Sequence, residues 1–343
     1  MHAKPLILAL LLAGCSDNDF TRASSVDVFQ QAPSNEVDIL WIIDNSVSMR
    51  NEQEAVASGA QDFIGRLTTT DIDFHMGVIT TDVSTANPDA GALLGSPSVL
   101  TPSTPSYVEA FQERVLQGTE GDDQERGLQA AITALTAPMT NTRNVGFLRD
   151  EAMLSIIVLS DENDCSDFGS LGANSTGEDC YSEYDKLTPV ADLVRELREL
   201  KEDSNRVIFS GIVGPDASEN CDDSVPGKRY FTAIDMLNGV QGDICQTDYG
   251  AVMDALGEIT SGILTSFSLD YVPDPETIVV TVDIPGQGAH EVPQDGNNGW
   301  TYNEDPTSPA IDFHGTEIPP RGSEVTVEYT IAADVQSGAD TGA

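Results

Sequence analysis

The chain has little positive charge. Its 343 residues include 16 Lys and Arg against 57 Asp and Glu, a formal net charge of −41. Nucleic acid is excluded as a partner, because phosphate contacts need clusters of basic side chains that do not occur here. Histidine is scarce too: His2, His75, His290 and His314 lie far apart, and no two cysteines have C-x₂-C spacing. A thiolate or histidine zinc site is therefore set aside. No G-x-S-x-G elbow and no glycine-rich phosphate loop occurs, which removes two common hydrolase and phosphotransfer frameworks. No apolar run is long enough for a permanent transmembrane helix; that from Pro5 to Ala13 is too short. Most of the acids serve to keep a surface hydrated, and cations are the expected partners.

Residues 1–15, MHAKPLILALLLAGC, read as a processing signal, with Lys4 ahead of the apolar run. The LAGC ending resembles the lipobox of bacterial lipoproteins. That resemblance implies a lipid on Cys15 as the mature N-terminus, attachment to the membrane through this lipid alone, and sorting to the outer membrane; ordinary secretory cleavage is the alternative. Residues 16–36 read as a polar tether reaching roughly 25 Å. The other four cysteines, Cys165, Cys180, Cys221 and Cys245, suit an oxidising compartment. Sequential pairing would close two loops rich in Asp, Ser and Gly, although three connectivities are open.

From Val37 to Leu269 short apolar strands alternate with amphipathic helices, which predicts an α/β fold, a doubly wound and mainly parallel sheet. VDILWIID is continuously apolar, as a strand buried on both faces requires. DFHMGVITTD, AMLSIIVLSD and RVIFSGIVG read likewise, ALLGSPSVL and GDICQ as short edge strands. Residues 270–331 form a small all-β module, with TIVVTVDI and EVTVEYTI alternating at period two. Trp300, Tyr302 and Phe313 are its core or an exposed aromatic platform. Residues 332–343 read as a disordered tail.

In an open α/β sheet, ligands collect where the strands end. Three acidic loops lie there: DNSVSM after the first strand, GTEGDDQERG ahead of a helix, and SDENDCSD from Ser160. Asp44 ends a strand, and alternate spacing lets the hydroxyls of Ser46 and Ser48 bend back to the same point. Oxygen donors of this kind suit a hard dication, Mg²⁺ with six ligands or Ca²⁺ with more. Helix capping is the plain alternative for each residue taken alone.

Asp44, Ser46 and Ser48 match the D-x-S-x-S motif of the von Willebrand factor A domain, also found in integrin inserted domains, and the chain resembles bacterial lipoproteins that carry such a domain. The resemblance implies a Rossmann-like fold and a metal-ion-dependent adhesion site holding Mg²⁺, Ca²⁺ or Mn²⁺. Asp161 stands where the family has its second acid. By the same resemblance the protein is a surface-binding module that grips an acidic group of a protein or other surface ligand, without catalysis. A metal-dependent hydrolase or phosphatase, and an envelope protein with a purely structural cation, are the competing readings.

The middle loop departs from the family's threonine. Asp122, Asp123 and Glu125 precede Gly127, and Thr119 is too far upstream. An added carboxylate strengthens cation binding, weakens the pull on a partner's acid, or favours Ca²⁺. Asp82 points to the same edge or forms a turn. Glu162, Asn163 and Asp164 read as turn formers and solvated acids.

Overall fold

The computed structural model describes residues 23–31, 35–69, 72–172, 174–202, 204–216, 224–261, 264–304 and 309–332. Cys15, Cys221 and residues 333–343 lie outside them.

Five strands form a parallel sheet: β2 (Glu36–Ile43), β3 (Asp73–Thr80), β4 (Met153–Ser160), β5 (Val207–Val213) and β6 (Gln241–Asp243), in the order β3-β2-β4-β5-β6. β2 needs apolar side chains on both faces because each face carries helices. Val37, Ile39, Trp41 and Ile43 pack beneath α1 (Arg50–Thr69), α2 (Tyr107–Val115) and α7 (Gly250–Thr260). Leu40 and Ile42 meet α3 (Gly127–Leu135), α5 (Val190–Arg198) and α6 (Lys228–Met236) on the other side. Alternation of side chains across a strand makes that division. On α1, Val56, Ala60, Phe63, Ile64 and Leu67 are buried, and Phe63 stands edge-on to Trp41 with ring centroids 5.2 Å apart. The short helix α4 (Asp179–Ser182) lies in the loop after β4.

The remaining strands are antiparallel. β1 (Ser24–Gln30), β12 (Glu324–Thr330), β8 (Val279–Ile284) and β9 (Gly288–Glu291) make one sheet in the order β1-β12-β8-β9; β10 (Gly299–Asn303), β11 (Ala310–His314) and β7 (Ser266–Ser268) make another. The two share one core that includes Phe267, Val280, Val282, Trp300, Phe313, Val325, Val327 and Tyr329, so of the aromatic residues read as core or platform Trp300 and Phe313 are core and half-buried Tyr302 packs against it. Trp300 Nε1 donates to Val292 O at 2.9 Å, which satisfies the indole inside that core.

These sheets overturn the expected fold class. The chain is not a mainly parallel, doubly wound α/β protein with a small appendage, since among the described residues seven strands are antiparallel against five parallel. Nor are the antiparallel strands confined to the C-terminal segment. β7 precedes residue 270, and β1 lies in the segment read as a tether. The reason is the open edge of β12, whose inward Val325, Val327 and Tyr329 need a covered flank. β1 supplies it with a pattern that carries no apolar alternation: Asp27 is buried, while Val26 and Val28 are 57% and 54% exposed. Asp27 is held by Tyr329 Oη at 2.7 Å, Asp270 N at 2.9 Å and Ser25 Oγ at 3.1 Å. The expected edge strand in ALLGSPSVL is reduced to a single bridge between Leu100 and Met76.

Candidate metal centre

The parallel register sets the site. Ile43 lies opposite Thr80 and Leu159, so the chain leaves β2 and β4 at one level, and Asp44 N donates to Leu159 O at 2.9 Å. Asp44 is fully buried. Its Oδ1 accepts from Ser46 N at 2.8 Å and its Oδ2 from Ser160 Oγ at 2.7 Å, so the carboxylate is occupied with the rim and not with capping α1. Ser46 is buried and Ser48 exposed, their hydroxyl oxygens 3.4 Å apart. Buried Gln53, on the first turns of α1, ties the two neighbouring loops together. Its Nε2 donates to Asp44 O at 2.8 Å and Gly118 O at 2.9 Å, and its Oε1 accepts from Gly118 N at 3.1 Å.

The middle loop lies against the first: Gly121 N donates to Asn45 O at 2.8 Å. A Cβ on Gly121 would stand 2.5 Å from Asn45 Oδ1, so a larger residue there would displace the Asn45 side chain. The structure separates the three acids read as middle-loop ligands. Asp122 is half-buried and folds back on Gln124 N at 3.0 Å. Asp123 is exposed. Glu125 is 1% exposed, and its main-chain oxygen accepts from Cys165 N at 2.7 Å. Its Oε1 has no hydrogen-bond partner.

The third loop differs from its reading as solvated turn formers. Asp164 is buried, takes Leu128 N at 3.1 Å and Ser166 Oγ at 2.7 Å, and pairs with Arg229 at 3.0 Å. Asn163 Oδ1 accepts from Arg229 N at 2.9 Å. Glu162 is half-buried beside Glu125. Asp82 forms a turn with Ser84 N at 2.9 Å while its charge reaches Asp122. The disulfide Cys165–Cys180 braces this loop, and Cys245 is also disulfide-bonded.

The electrostatics of the rim are one-sided. Burial, then repulsion from Asp161, holds the Asp44 carboxyl above the usual range. Burial raises Glu125 further, with Asp44 and Glu162 adding to it, and burial likewise raises Glu162. Among the described residues, the charges bearing on these three groups are acidic. The opposite pole of the sheet is built differently: buried Asp38 meets Arg149 at 2.8 Å and Lys201 at 3.4 Å. Near the rim, Arg126 and Arg229 are committed to Asp167 and Asp164 at 3.0 Å each.

Among the described residues, no three His, Cys, Asp or Glu side chains form a group that could hold a metal ion by themselves. Any ion at this rim therefore needs the serine hydroxyls or water as well. The donors on offer, Asp44, Ser46, Ser48, Asp161 and Glu125, are all hard oxygens. The buried Oε1 of Glu125 has no hydrogen-bond partner, a position that a cation would satisfy.

No protein-family model matches the chain, and no curated protein matches it. Among solved structures it is similar to the pilus adhesin SpaC from Lactobacillus rhamnosus GG, at 13% identity and a TM-score of 0.41, over 89% of this chain and 41% of that one. Proximal thread matrix protein 1 from the mussel byssus follows at 10% identity and 0.38, over 73% and 52%. The adhesive tip pilin GBS104 from Group B Streptococcus agalactiae stands at 11% and 0.33, over 89% and 80%. The chain thus spans about two fifths of the first and half of the second. Similarity of this size carries over neither fold nor function.

Proposed function

We propose that this protein is a divalent-cation-dependent binding module of the bacterial cell surface, and not an enzyme. The observation that carries the reading is the buried set of acids at one sheet rim, where among the described residues the charges acting on Asp44 and Glu125 are acidic and a buried Glu125 oxygen has no hydrogen-bond partner. Buried charge is tolerated when it is paired or bound to metal. Asp44, Ser46, Ser48, Asp161 and Glu125 would hold Mg²⁺, Ca²⁺ or Mn²⁺. When bound, the ion supplies an electrophilic position for an oxygen of a surface partner, which the resemblance to the metal-ion-dependent adhesion site implies is a carboxylate.

The architecture supports a site directed away from an anchor. Gln31 binds Leu264 O at 2.7 Å and Pro319 O at 2.9 Å, and Arg321 binds Ser261 O, so the antiparallel sheets attach where α7 ends. Thr260, at that end, bonds Ser155 near the start of β4, opposite the acidic rim. β1 follows the proposed lipid anchor at Cys15 and belongs to this far end. Among the described residues, no helix is long and apolar enough to cross a membrane. The described histidines are engaged elsewhere, His75 with Phe147 O, His290 with Glu317 and His314 with Thr301, so none of these three serves the rim as a general base.

Calorimetric titration of the purified chain with Mg²⁺, Mn²⁺ and Ca²⁺ tests the proposal. A saturable site that Asp44→Ala abolishes, in a protein that stays folded in chelator, is expected. Binding that survives Asp44→Ala would refute it, and melting in chelator would favour a purely structural cation.

A further inference from the structure

We infer that the free edge of β9 is a strand-addition site, which takes an extended peptide with apolar residues at alternate positions and basic residues between them. The site belongs to the antiparallel sheets and goes beyond the proposed function of the acidic rim.

β9 ends the order β1-β12-β8-β9, and all four of its residues are exposed. Its register on β8 fixes where its main-chain groups point. Val292 N donates to Val280 O at 2.9 Å, and alternation gives the same hydrogen-bonded role to His290 with Val282 and to Gly288 with Ile284. The N–H and C=O groups of Ala289 and Glu291 therefore point away from β8, to the open side. An added strand would pair with them there. Beside this edge a cleft of about 390 Å³ opens between β8, β9 and residues 316–320. Val282, Ile284, Ile318 and Pro320 line it, and Ile284 and Ile318 are only partly buried. Ile284 is left uncovered because the residue opposite it, Gly288, has no side chain. Gly288 holds a φ of +87°, which favours glycine. His290 and Glu317 also line the cleft, partly exposed, with Nε2 and Oε2 3.3 Å apart.

Side-chain alternation sets the chemistry of the occupant. His290 shares a face with Val282, the side of the cleft, while Ala289 and Glu291 share the outer face with Asp283 and Thr281. An added residue opposite His290 would turn its side chain towards the cleft, where an apolar group covers Ile284 and Ile318. The residues opposite Ala289 and Glu291 would face outward, beside the exposed side chains of Glu291 and Asp283. Opposite charges across neighbouring strands are favourable and like charges are not, so a basic side chain suits that face. Charge also argues against a second copy of this chain as the occupant. Pairing β9 with β9 would join two chains of net charge −41, each with Glu291 on its edge.

The test follows a labelled peptide, Lys-Val-Thr-Leu-Lys-Val-Thr, by fluorescence anisotropy against the purified chain. A scrambled peptide of the same composition, with its apolar residues consecutive, is the control, in salt that screens general attraction to an acidic protein. Wild type is compared with Ala289→Pro, which removes an outward N–H and no bond to β8, and with Glu291→Lys; thermal melting confirms that each is folded. Wild type should bind the alternating peptide at least about tenfold tighter than the scrambled one, and Ala289→Pro should lose about tenfold in affinity. Glu291→Lys should weaken binding too. Hydrogen exchange at Ala289 and Glu291 should slow when the peptide binds, and affinity should be the same in chelator. Equal binding of the two peptides, full binding by folded Ala289→Pro, or unaltered exchange at β9 would each overturn the inference. Binding lost in chelator would place the peptide at the rim and overturn it as well. So would a concentration-dependent dimer that Ala289→Pro dissociates, since the edge would then belong to a second copy. If Ala289→Pro does not fold, Glu291→Lys and the exchange measurement decide in its place.

Discussion

Removing the charge of Glu125 should change how the metal-free protein responds to pH. Asp44, Glu125 and Glu162 all have carboxyl groups held above their ordinary range, chiefly by burial. Such a group keeps its proton in the folded state after the unfolded chain has released it. Folded stability is then highest below the unfolded value, near pH 4, and declines as pH rises towards the folded one. Each proton retained only by the folded state costs about 1.4 kcal/mol per pH unit. Between pH 5 and 7, one such proton amounts to roughly 3 kcal/mol, or about 4 °C at roughly 0.7 kcal/mol per degree for a chain of this length. Glutamine at 125 cannot ionise and removes at least this one. Wild type and Glu125→Gln should therefore be melted side by side by differential scanning calorimetry in chelator at pH 5, 6 and 7. The advantage of the variant should widen by about 1.4 kcal/mol per pH unit. Repulsion among the other acids of this chain acts on both proteins and cancels in the difference. Saturating Ca²⁺ should flatten the wild-type decline, because the cation then stands in for the protons. Parallel pH profiles for the two proteins in chelator would refute the reasoning.

Gln53→Ala should destabilise the protein by about 2–3 kcal/mol, since it strands Gly118 N and two carbonyls that the amide satisfies; denaturant unfolding reads this. It should also weaken cation binding in calorimetry by releasing the middle loop from Asp44. Tyr329→Phe removes a donor from buried Asp27 and should cost about 1–2 kcal/mol. Faster hydrogen exchange in β1 with unaltered cation affinity is expected, because Asp27 lies at the end opposite the rim.

Legibility in the sequence varied from residue to residue. Asp44 and Asp161 follow uninterrupted apolar runs, and a strand buried on both faces leaves its next polar residue at the sheet's rim. Parallel pairing of β2 with β4 then brings both acids together. The middle loop offered three acids in four residues, and local pattern had no means of choosing Glu125. Of the three it is the buried one, and its main chain is bonded by Cys165, forty residues away. Asp164 read as a solvated acid because its partner Arg229 lies sixty-five residues downstream. Gln53 carried no signal at all, being an ordinary polar residue within a helix.

The fold was misread for a related reason. β1 has valines facing solvent and an aspartate facing inward, the reverse of the alternation that marks a half-buried strand. It is a strand because β12 presents an edge and Tyr329 a hydroxyl, both about three hundred residues away.

What the sequence determined by itself was periodic and local: the buried strands, the helical faces, and the acids at strand ends. Side-chain direction repeats every two or 3.6 residues whatever the rest of the chain does. The tertiary structure alone decided which edge β1 covers, which buried acids meet an arginine, and which lie among other acids. Desolvation and Coulomb energy depend on everything within several ångströms, and most of what surrounds Glu125 comes from distant segments.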